Sequence, residues 1–93
     1  MSKKISNFRK VERLVKGFSN HRRIQIMELL KSKPELSLIE IAGELKINFK
    51  TAAQHIFKLV ISGLVIKRSD GASVRHKLTG VGNDVLLFLR TIE

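Results

Sequence analysis

The sequence predicts a mainly α-helical domain carrying one small β-hairpin, and three observations lead there. Capping residues stand ahead of apolar runs spaced by threes and fours, which is the periodicity of a helix with one buried stripe. Asp70-Gly71 separates two short strand-like segments, a hairpin signal. A chain of 93 residues buries only about 60 to 65% of its unfolded surface, which allows one core. Helices are expected over about 5–17, 20–31, 38–45, 49–61 and 81–92, and strands over about 64–68 and 73–78, within a single domain spanning 1–93.

In the first helix the apolar residues fall at 5, 8, 11, 14, 15 and 18, leaving Lys10, Arg13 and Lys16 on the other sides. Ser19-Asn20 offers capping oxygens for the second, whose inner face is read as Ile24, Met27 and Leu30. Pro34 lacks the amide that a continued helix would need, so Ser32-Lys33-Pro34-Glu35 is a loop. Ser37 and Glu40 have the capping-box spacing that opens a third helix. Lys46-Ile47-Asn48 reads as a tight turn whose Asn48 caps the fourth, and Gly63 stands where that helix ends in a left-handed residue. In the second strand, period two sends Val74, His76 and Leu78 toward the core and Arg75 and Lys77 toward solvent. The last helix is apolar almost all round, with Val85 to Leu89 consecutive, and is expected to be buried.

Eighteen basic residues against eight acidic ones give a net charge of +10, which favours polyanions as partners. Apolar runs such as Leu59 to Ile61 and Leu64 to Ile66 fall far short of the about 20 residues that a membrane span needs. Behind Lys3 and Lys4 no apolar stretch follows, so no secretory signal is read and a cytoplasmic location is expected. Having no cysteine, the chain lacks disulfides, thiolate metal sites and a thiol nucleophile. His21, His55 and His76 lie on three different elements, so no shared metal site is expected, and no cofactor either. No carboxylate pair, activated nucleophile or glycine-rich phosphate loop can be assembled, so the chain is not read as an enzyme.

Two helices joined by a three-residue turn, the second followed directly by a hairpin, are the parts of a winged helix-turn-helix. Residues 18–79 resemble the ArsR-type family of dimeric repressors at "FSNHRRIQIMELL", "LSLIEIAGELKIN", "AAQHIFKLVISGLV" and "SVRHKLT". Gln54-His55-Ile56 with Leu59, Gly63-Leu64-Val65, and Leu78-Thr79 are the most distinctive elements. Related families such as MarR-type regulators share much of this pattern. The resemblance implies that helix 49–61 enters the major groove of double-stranded DNA while the hairpin wing lies beside the backbone. The family's metal-sensing residues are missing, since 38–45 holds no Cys and 83–92 no His. Lys46 stands where a Gly is common, which costs about 1 kcal/mol if that position needs a positive φ.

Helical periodicity agrees with that placement. Ala52, Ile56, Leu59 and Gly63 form an inward stripe, while Phe49, Lys50, Ala53, Gln54 and Phe57 turn the other way. Gln54 can pair bidentately with adenine, Lys50 can reach guanine or phosphate, and Ala53 or the Phe49 ring can touch a thymine methyl. Lys46, Thr51, Lys58, Lys67, Arg68, Arg75 and Lys77 suit phosphate, and Asn48 joins the set at the start of the helix. The plain alternative for Lys50 and Gln54 is a solvated helix face, and only their position in the motif favours DNA. His55 is expected to pack or hydrogen-bond at the base of the helix, and His76 to be structural.

The apolar surfaces of the first and last helices exceed what so short a chain can cover, which predicts a homodimer joined through Ile5, Phe8, Val11, Val15, Val85, Leu86, Phe88, Leu89 and Ile92. The expected function is a sequence-specific DNA-binding transcriptional regulator, in repressor mode. Two alternatives are a protein-interaction module of a larger assembly and a non-specific architectural binder of nucleic acid.

Overall fold

The computed structural model describes residues 3–93; Met1 and Ser2, at the start of the expected domain, lie outside the described residues. The order of elements is α1 (Phe8–Phe18), α2 (His21–Ser32), α3 (Leu38–Leu45), α4 (Phe49–Ile61), β1 (Val65–Asp70), β2 (Ser73–Leu78) and α5 (Gly80–Ile92). This is the winged helix-turn-helix arrangement, five helices with a two-stranded antiparallel hairpin.

Each helix starts where a side chain satisfies its free amides. The Asn7 side chain accepts from the Lys10 amide at 3.0 Å, so α1 begins at Phe8 and leaves Ile5 ahead of the helix, a correction to the start expected from apolar spacing. Asn20 accepts from the amides of Arg22 and Arg23 and opens α2 at His21. The Ser37–Glu40 capping box is complete in both directions, with Ser37 N–H donating to the Glu40 carboxylate at 2.8 Å and Glu40 N–H to the Ser37 hydroxyl at 3.2 Å. Asn48 accepts from Lys50 and Thr51, and Thr79 accepts from Gly82 to begin α5 at Gly80, slightly before the expected position. Lys46 does take a positive φ, +55°, so the expected cost of about 1 kcal/mol is present in the α3–α4 turn. Gly63, at φ +83°, ends α4 as expected.

The core joins Ile26, Met27 and Leu30 of α2, Ile41 of α3, Ile56 and Leu59 of α4, Leu64 and Val65 at the entry to β1, and Leu86 of α5. Full burial of such a side chain stabilises by about 1.5 to 3 kcal/mol each. Ile26 takes the central place on α2, and Ile24, expected on its inner face, is only half-buried. The α1 helix lies over this core through Leu14 and Phe18.

In the hairpin Val65 pairs with Leu78 and Asp70 with Ser73, so the strands run to a two-residue turn, Gly71–Ala72. β1 is therefore longer than expected at its far end and includes Asp70. The inward alternation holds for His76 and Leu78 but fails at Val74, which is 45% exposed because the hairpin projects past the core near its tip. His76 is buried, its ring Nδ1 lies 2.9 Å from the Leu36 carbonyl, and its amide donates to the Leu36 carbonyl while its own carbonyl accepts from the Glu35 amide, which lays the α2–α3 loop against β2. The expectation of a wholly buried last helix is also corrected. Gly82 and Leu86 are buried, but Leu87, Phe88 and Ile92 face solvent.

Candidate nucleic-acid interface

The α4 helix is anchored from behind by Ala52, Ile56 and Leu59, all at most 2% exposed. Its opposite face presents Lys50, Gln54, Phe57 and Lys58 to solvent, with Phe49 at its start and Ala53 half-buried between them. Thr51 is also exposed, and Lys46 stands exposed in the turn that leads in. Asn48 has its side-chain oxygen committed to the cap, 2.7 Å from the Lys50 amide.

His55, at the edge of this face, accepts from Arg23 Nε through Nδ1 at 3.2 Å. Arg23 also donates to the Lys16 carbonyl at 3.1 Å, so one guanidinium ties α4 to α2 and α1. Burial, with the charges of Arg23, His21 and Arg22 beside it, pushes the His55 imidazole below its ordinary value, which keeps the ring neutral as an acceptor. The sequence carried no local sign of this bond, because the partners stand 32 residues apart.

The wing cations divide into two kinds. Strand register puts Arg68 directly opposite Arg75, and two facing like charges would repel. Carboxylates resolve this. Glu35 accepts from Arg68 at 2.8 and 2.9 Å, Glu40 lies 3.2 Å from Arg75 Nη1, and Asp70 lies 3.7 Å from Arg75 Nε. Glu35 itself adopts φ +69°, and its amide donates to the His76 carbonyl, so this loop is shaped around the wing. Hydrogen bonds from Ser37, with Arg75 adding a smaller pull, hold the Glu40 carboxyl below the usual carboxylate range. Lys67 and Lys77 are exposed, and among the described residues no ion pair engages them or Lys46, Lys50 and Lys58. Arg68 and Arg75, which the sequence offered to phosphate, thus each stand paired with a carboxylate at the surface of the fold.

Away from α4, Ile5, Phe8 and Val15 on one side and Phe88 and Ile92 on the other are exposed, while Val11, Val85 and Leu89 are half-buried. Leu86, counted from the sequence among the subunit contacts, is 1% exposed and belongs to the core of its own chain, a correction to that set. No helix of the described residues is long and apolar enough to cross a membrane.

The profile of the family described as winged helix-turn-helix DNA-binding matches residues 19–66, the stretch from just before the α2 cap to the start of β1. The chain belongs to this family of winged helix-turn-helix DNA-binding domains. Its likeness to ArsR-type regulators is supported by the homodimeric winged helix-turn-helix DNA-binding domain Mb0332 of Mycobacterium bovis, described as a possible ArsR-family transcriptional regulator. That domain is 25% identical over 99% of this chain and 89% of its own, with a TM-score of 0.84. The transcriptional regulator HlyU of Vibrio vulnificus is 28% identical over 90% of this chain and 88% of its own, with a TM-score of 0.74. Staphylococcus aureus MepR, solved bound to an oligodeoxyribonucleotide, shares the fold at a TM-score of 0.75 with 14% identity, over 90% of this chain and 67% of its own. No curated protein matches the sequence.

Proposed function

We propose that this chain is a sequence-specific transcriptional regulator, a cytoplasmic homodimer that represses by occupying a promoter. The observation that carries this reading is the division of α4 into a sealed face of Ala52, Ile56 and Leu59 and an open one holding Lys50 and Gln54. A helix so anchored can enter the major groove, about 12 Å wide, without giving up its packing. Two copies related by a two-fold axis would address half-sites about 34 Å apart. The dimer is supported by the exposed Phe8, Val15, Phe88 and Ile92 and by the homodimeric relative of the same fold.

Enrichment of bound duplexes from a random pool tests the reading, and it fails if no sequence is enriched. With 6 to 10 phosphates contacted, affinity should fall by about 10³ to 10⁵ between 50 and 200 mM salt. Gln54→Ala should cost about 1 to 3 kcal/mol on the enriched site and relax one base position. Equal losses on enriched and random duplexes would rule out base reading by Gln54.

The two kinds of wing cation give a second expected result. Lys77→Ala should flatten the dependence of log affinity on log salt by about one unit per half-site, because it removes a phosphate contact and its released counterion. Arg75→Ala should weaken binding with that slope unchanged, because Arg75 holds the wing to Glu40 and the α3 cap. Titrations at a series of salt concentrations measure both, and a lowered slope for Arg75→Ala would return that residue to the phosphate contacts.

A further inference from the structure

The open face of α4 carries a phenyl ring that neither Gln54 nor Lys50 accounts for. At about 100° per residue, Lys50, Gln54 and Phe57 fall within about 60° of one another around the helix axis. The Phe57 ring is 56% exposed and takes no part in the core cluster. Ala53 precedes it by one turn, and both line a single shallow concavity with Lys50, Gln54 and Lys58. The ring and the Ala53 methyl thus give this concavity an apolar side next to the polar groups of Lys50, Gln54 and Lys58.

The chemistry of that contact follows from what α4 has and lacks. Between Phe49 and Ile61 stand no acid and no arginine, so the side chains there that can reach guanine are the lysines alone. What remains outward is an amide, two ammonium groups, a hydroxyl, an alanine methyl and phenyl rings, with Ile61 at the far end of the helix. On base edges in the major groove the apolar group is the thymine C5-methyl, and the bidentate partner of a glutamine amide is adenine. Both belong to A·T pairs. The rise from Ala53 to Phe57 is about 6 Å, close to two base steps of about 3.4 Å each.

We propose that Ala53 and Phe57 form an apolar wall that reads thymine methyl groups beside the adenine contact of Gln54, so that the half-site beneath α4 places A·T pairs under Gln54 and Phe57, with thymine methyls against the ring. This rests on α4 entering the major groove. It adds the base composition of the site and a specificity-determining residue, Phe57, that polar reading alone omits.

Duplexes enriched from a random pool are resynthesised with deoxyuridine for thymidine, one half-site position at a time, which removes the methyl and leaves every hydrogen-bonding group in place. At the positions against the wall each lost methyl should weaken binding about fourfold, the factor equivalent to burying one methyl-sized group. Phe57→Ala should weaken binding to the thymidine duplex and erase its advantage over the deoxyuridine duplex, while Phe57→Leu, still apolar, should keep part of that advantage. Circular dichroism and melting curves matching the unaltered chain show that both variants fold. Specific binding indifferent to deoxyuridine overturns the methyl wall and leaves α4 as the reader, as does a Phe57→Ala variant that retains the full thymidine advantage. A pool that enriches no sequence overturns both readings. Binding of an acidic helical peptide, with Phe57→Ala abolishing it and duplex affinity unaltered, would assign the ring to a protein partner and overturn the proposal.

Discussion

Gly82→Ala should lower the stability of the fold by about 3 kcal/mol, the upper part of the range for forcing extra volume into a packed interior. Gly82 lies in the first turn of α5, where the helix passes over the junction between α4 and β1. A Cβ built there would stand 2.1 Å from the Leu64 carbonyl oxygen and 3.1 Å from Leu78 Cδ2. The first of these neighbours is backbone and cannot swing aside, because the same Leu64 carbonyl also accepts the Thr79 amide at 3.1 Å. The helix must therefore move off the core, drawing Leu86 from its buried place. For a chain of this size the loss corresponds to a fall in Tm of about 12 to 24 °C. Gly80→Ala is the control. Its Cβ meets nothing within 4 Å, so at that position the lost freedom of the unfolded chain should leave stability level or raise it by up to about 1 kcal/mol. Thermal and urea unfolding of the two variants decide the matter, and equal melting of both would mean that α5 does not approach Leu64 so closely.

Phe88→Glu should dissociate the proposed dimer and lower affinity for a two-half-site operator by about 10² to 10⁴, the factor that linked binding contributes. Phe88 is 57% exposed on α5, on the side away from Leu86. In an isologous interface one substitution acts twice, removing two rings from the contact and placing two carboxylates in it. An unpaired buried carboxylate costs several kcal/mol. Because the side chain points out of its own core, the monomer should keep its fold and its weak affinity for a single half-site. Sedimentation at micromolar concentration and mobility shifts on one-site and two-site duplexes separate these effects. A variant that remains dimeric would move the subunit contact elsewhere.

What could be read from the sequence was what is decided locally. Both ends of α3 and α4 were legible because Ser37 with Glu40, Asn48 and Gly63 act within four residues of the backbone groups that they satisfy or turn. Asn7 is the same kind of signal and places the start of α1, but the apolar spacing that reaches back to Ile5 obscured it. The outward set on α4 followed from period and needed no tertiary knowledge. Properties that depend on distant partners were not legible. Whether Val74 faces core or water depends on how far the hairpin extends past α2 and α4. Arg68 and Glu35 are 33 residues apart and Arg75 and Glu40 are 35, so nothing along the chain marks these arginines as engaged and Lys67 and Lys77 as free. Leu86 and Phe88 look alike in an apolar run, and only the docking angle of α5 sends one inward and the other out.

Lys46 sits in a backbone conformation that glycine would hold without strain, and it is one of the unpaired cations flanking α4. Heat resistance and attraction for a polyanion therefore pull in opposite directions at a single residue. A laboratory selection for thermal endurance should drift toward glycine there, and one for tight retention of duplex should keep the ammonium.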